Sequence, residues 1–92
     1  MNLYISDAVQ KKLNEKHGGV TRKEIEECFY NREGHILNDD REEHRSDPPT
    51  CWFISETNKG RLLKVVFINQ EGCLRIRTAY EPNATELAIY SR

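Results

Sequence analysis

Residues 50–83 read TCWFISETNKGRLLKVVFINQEGCLRIRTAYEPN, and the fold turns on how this stretch is read. Three apolar runs occupy residues 50–57, 62–69 and 73–79. The breaks between them, NKG and QEG, are short and end in glycine, which is hairpin chemistry. The runs therefore read as an antiparallel meander. Downstream, Asn83 and Glu86 form a capping box that starts a C-terminal helix reaching Tyr90. Upstream, the polar segment DDREEHRSDPP ends in two prolines and reads as a loop, preceded by a short strand at residues 36–38.

Two helices precede that strand. Ser6 caps the first, whose Val9 and Leu13, with Ile5 at the entry, make an apolar stripe. HGG stops it, because Gly18 or Gly19 can take the left-handed cap conformation. Thr21 and Glu24 form a capping box for the second, which buries Ile25, Cys28 and Phe29. The order predicts an α+β domain over residues 1–92: two N-terminal helices, a three- to four-stranded antiparallel sheet and a C-terminal helix. Helices on one sheet face would leave the other open to water or a ligand.

Composition narrows the function. The chain has 92 residues, 32% charged and 37% hydrophobic, enough for one modest core. It has no apolar run of membrane-spanning length and no secretory pattern at its start, so a cytoplasmic location is expected. The three cysteines and three histidines match no metal-ligand spacing, and neither a metal nor a cofactor is expected. Gly-rich phosphate loops, G-x-S-x-G and HExxH are absent. Residues 1–50 hold 8 Lys+Arg against 11 Asp+Glu, and residues 51–92 hold 6 against 4. The strand-rich half is mildly basic, so a polyanion would need a local cluster.

Such a cluster is readable in the last strand. Strict alternation puts Leu74, Ile76 and Thr78 on the core face, with Arg75, Arg77 and Ala79 outward. Pairing through the QEG turn would bring Lys64 to the same surface, and an arginine fork suits a phosphate. A solvated strand face is the plainer reading of the same residues. Trp52 and Tyr80 can stack on a base. One acid of the run Asp39, Asp40, Glu42 and Glu43 can serve as a general base if its loop folds over the sheet.

Several segments in order resemble one family. KHGGVTRKEIEECF is similar to the Lys-His-Gly segment and following helix of BrnT-type toxins, small bacterial ribonucleases of type II toxin–antitoxin systems. GRLLKVVF and LRIRTAYEPNATELAIY are similar to that family's hairpin and its last strand and helix. The resemblance covers most of residues 10–90. It implies a compact relative of the RelE ribonuclease fold, metal-independent RNA cleavage and a cognate antitoxin partner. It matches Lys16 and His17 to the family's Lys-His pair, Arg61 to its hairpin arginine, and Arg75 or Arg77 to its basic final strand. In that mechanism His17 or Glu43 moves the proton. Arg61, Lys64, Arg75 and Arg77 hold the phosphate, and Tyr80 stacks on a base or donates a proton. The chain departs from the pattern at Tyr80, where the family carries an arginine, and at the extra Gly19. TAYEPN also looks like a group of small bacterial proteins, some labelled ADP-ribosyl-dinitrogen-reductase hydrolase. The alternatives are a non-catalytic protein-binding module on the same scaffold and a small ADP-ribose-related hydrolase. The oligomeric state, a homodimer included, is left open.

Overall fold

The computed structural model describes residues 1–16, 18–39 and 48–92. Their elements are β1 (Leu3–Tyr4), α1 (Asp7–Glu15), α2 (Arg22–Asn31), β2 (Leu37–Asn38), β3 (Thr50–Glu56), β4 (Leu62–Gln70), β5 (Cys73–Tyr80) and α3 (Ala84–Tyr90). The α+β class is as expected, and so are the three caps. Ser6 accepts from the Val9 N–H, while Thr21 with Glu24 and Asn83 with Glu86 close reciprocal capping boxes.

The sheet is five-stranded and mixed, in the order β1-β5-β4-β3-β2. It is thus larger than the three or four antiparallel strands expected. The addition is β1, which runs parallel to β5 with Leu3 beside Leu74 and Tyr4 beside Arg75. The meander itself forms as read. At its second turn Glu71 and Gly72 both have positive φ, the requirement of a two-residue turn whose twist matches the strands.

The core lies between the sheet and the pair α1 and α2. Phe53, Leu63, Val65, Ile25 and Cys28 are all fully buried there. Phe29 of α2 meets Phe53 and Phe67 edge-on, with centroids 4.9 and 5.2 Å away. Each fully buried Phe, Leu, Val or Ile among them stabilises the fold by about 1.5–3 kcal/mol relative to exposure. Burial, and then the carboxylates of Glu24 and Glu27, push the Cys28 thiol up to about 12, so it behaves as a small hydrophobe.

Two expectations about faces fail. First, α3 does not join the other helices. Its Tyr90 packs on Trp52, and Trp52 and Phe53, being consecutive in a strand, point to opposite faces. Helices therefore lie on both sides of the sheet, and the face taken to be open is partly covered. Second, the alternation in β5 breaks. Val66 pairs with Thr78 but Phe67 pairs with Ile76, leaving Arg77 as the extra residue of a bulge. Ile76 and Ala79, three apart, both enter the core at 4% exposure. Ala79 is thus inward, and Thr78 stands beside Val66 on the α3 side.

Candidate anion-binding site

The residues expected to hold the phosphate fall into three places. Arg75 and Arg77 stay together and exposed. They line one hollow of about 350 Å³ with Tyr4, Pro48, Ile68 and Gln70. The Arg75 guanidinium stands 5.2 Å from the centre of the Tyr4 ring, within cation–π range. Its contact with the Gln70 side-chain oxygen, Oε1, is long, at 3.5 Å. The bulge keeps Arg77 outward, since it has no partner residue on β4. Among the described residues, no carboxylate or histidine lines this hollow.

Lys64 shares the sheet face with Arg75 but not its location. Arg75 pairs with Ile68, four residues along β4, so the two lie about 13 Å apart along the strand. Lys64 donates to Glu86 Oε2 at 2.8 Å and sits 4.4 Å over the Trp52 ring. The Tyr80 hydroxyl donates to the same carboxylate oxygen at 2.5 Å. The Lys64 and Glu86 side chains are only 12% and 15% exposed. Burial pushes the Glu86 carboxyl up, but bonds from Lys64, Tyr80 and the Asn83 backbone outweigh it and hold it below its usual range. Burial and the bond to Glu86 raise the Tyr80 phenol, against the opposing effect of Lys64. This trio pins α3 to the sheet.

Arg61 is the third place. It donates to the Gly19 carbonyl at 2.7 Å and pairs with Glu24 at 3.1 Å and Glu81 at 3.0 Å. It ties the α1–α2 turn, the start of α2 and the β5–α3 turn to the β3–β4 hairpin. Burial alone would lower its pKa, but the two carboxylates outweigh burial and raise it. Lys16 is exposed at the end of α1, seven residues from Val9, which lines the Arg75–Arg77 hollow. That separation is about 10 Å along the helix. His17 and Glu43 lie outside the described residues.

The sequence-predicted residues thus do not converge on one site. Tyr4 and Glu86 were missed. Tyr4 reaches the arginines through a two-residue strand with no periodic signal, and in the sequence Glu86 is legible only as a cap. Among the described residues, no three metal-ligating side chains form a group. Comparison of the chain with protein-family models, curated proteins and solved structures finds no match.

Proposed function

We propose that the chain is a toxin-type RNA-binding domain that holds the phosphate backbone at the Arg75–Arg77 hollow. The observation supporting this is the pair of exposed arginines beside an aromatic ring, with no carboxylate of the described residues in the hollow. Cations track a backbone, and an aromatic face is a stacking platform for a base. Arg61 and Lys64 are engaged in internal ion pairs and act in this reading as structure. RNA cleavage belongs to the same proposal. There the 2′-hydroxyl attacks its own phosphate, the bond to the 5′-oxygen of the next nucleotide breaks, the arginines stabilise the developing charge, and His17 or Glu43 takes the 2′ proton or gives one to the departing oxygen.

Titration of single-stranded RNA at several salt concentrations tests the binding. The double variant Arg75→Ala, Arg77→Ala should bind weakly and lower the salt slope by about 1.4, at about 0.7 per lost phosphate contact. Unchanged affinity and slope would sink the proposal. Purified protein that binds RNA but never cuts it would remove the nuclease part alone.

A second reading has its own support: Tyr80, at the position of a family arginine, is turned inward onto Glu86. On this reading the hollow docks an acidic segment of a partner such as an antitoxin. An acidic peptide that binds where RNA does not would decide for it. A small DNA-binding protein encoded next door would support a toxin pair. Among the described residues, no helix is long and apolar enough to cross a membrane. A cytoplasmic site of action is part of the proposal.

A further inference from the structure

The opposite edge of the sheet carries a different feature. β2 pairs with only two residues of β3, Trp52 and Cys51. Beyond them β3 continues to Glu56 with no described strand at its side. The Asp39 N–H donates to the Thr50 carbonyl, which fixes the direction of the backbone groups. These groups alternate along an antiparallel strand, so Thr50, Trp52, Ile54 and Glu56 turn theirs toward the β2 side. The N–H and C=O of Ile54 and the N–H of Glu56 therefore face the open edge. The Glu56 carbonyl takes the Asn31 side-chain amide at 2.9 Å, which closes the far end.

A cleft of about 920 Å³ runs along this edge. Ile54, Ser55 and Glu56 form one wall, and residues 30–34, the end of α2 and the start of its link to β2, form the other. Tyr30 is 74% exposed, an unusual amount for so large a ring. Within the cleft wall, Ser55 is 7% exposed and its hydroxyl is buried with no hydrogen-bond partner. A buried hydroxyl left unpaired costs free energy in the resting protein, and a ligand that pairs it recovers that cost.

We infer that this edge is a docking site for an extended peptide segment of a partner protein, added to the sheet as a strand beside Ile54. Main-chain donors and acceptors at strand spacing are complementary to another peptide backbone, and the cleft gives it room. The residue opposite Ile54 exchanges two backbone bonds with it. Its side chain falls on the Ile54 face of the sheet, toward Leu62 and Tyr90, and is apolar. The residues before and after it point to the Ser55 face and carry a small hydroxyl or amide. The site is independent of the anion-binding proposal, because the Arg75–Arg77 hollow lies at the β1 edge.

The test uses the full chain and blocked three-residue peptides with Val, Leu or Tyr at the centre and Thr on either side, since Leu37 already occupies the position beside Trp52. Each is paired with an analogue N-methylated at its central residue. Calorimetry should find binding by at least one parent peptide and a loss of tenfold or more on methylation. Hydrogen exchange at the Ile54 amide should slow in the complex. Ser55→Ala should weaken binding several-fold, while the free variant unfolds at the same or a higher urea concentration. Absence of binding across the panel at millimolar peptide overturns the inference. So does equal binding by the methylated analogues, or full affinity in Ser55→Ala.

Discussion

Lys64 shows how much one side chain's role depends on its neighbours. In the sequence it is one more cation on a strand. In the fold its ammonium meets Glu86, the Tyr80 hydroxyl shares that carboxylate, and Trp52 lies beneath. Removing one member of such a pair leaves the other charge poorly solvated and unpaired. Lys64→Ala should therefore destabilise the chain by about 2–3 kcal/mol, below the 3–5 of a fully buried pair because both side chains retain some water. Combining Lys64→Met with Glu86→Gln removes both charges and should recover part of that loss. Urea unfolding of the two variants checks this. A Lys64→Ala variant as stable as the native chain would show that α3 is held by other contacts. The same titration series should leave RNA affinity nearly unchanged in Lys64→Met, in contrast to the arginine variants.

At the scale of elements, the caps and hairpins were legible because each rests on local chemistry. Ser6, Thr21 and Asn83 satisfy helix N–H groups within three residues, and glycine closes both hairpins. The bulge was not legible. LRIRTAY is a clean alternation, and only the cross-strand register with Val66 and Phe67 reveals that Arg77 is the extra residue. The face chosen by α3 was hidden as well, because its docking uses tyrosine and an ion pair rather than an apolar stripe. Gly34 is part of that docking. A Cβ built there would lie 2.5 Å from the Tyr90 hydroxyl oxygen, which donates to the His35 carbonyl at 2.9 Å. Gly34→Ala should push the tyrosine tip away and cost about 1–3 kcal/mol, the usual range for overpacking. Trp52 is the chain's one tryptophan, and the Tyr90 ring lies 5.7 Å from it. Its fluorescence should shift to the red in the variant as α3 loosens. An unshifted spectrum with native stability would mean that the loop at Gly34 yields instead.

At the scale of the molecule, two carboxylates fasten elements that are distant in sequence. Glu24 holds Arg61, 37 residues away, and Glu86 holds Lys64, 22 residues away. These separations explain why only part of the candidate site was readable. Alternation alone turns Arg75 and Arg77 outward, whereas the fates of Arg61 and Lys64 depend on partners that tertiary structure supplies. The same two carboxylates set the acid response. Burial raises each, but the bonds outweigh it: Thr21 and Arg61 for Glu24, and Lys64, Tyr80 and Asn83 for Glu86. Both folded pKa values therefore lie below the ordinary 4.5, which is where the unfolded chain titrates. Between the folded and unfolded values, the unfolded state binds more protons, so stability rises with pH there. The contribution is complete above 4.5 and is lost as pH falls through the folded values. The urea midpoint should hold level from neutrality down to about that pH and then decline. Glu86→Gln should lower the midpoint near neutrality and flatten the decline, because its amide no longer titrates. Glu24→Gln should do the same through Arg61, and the double variant should flatten it further. A native chain whose midpoint stays level well below 4.5, or a double variant that declines as steeply as the native chain, would show that neither carboxylate governs the acid limb.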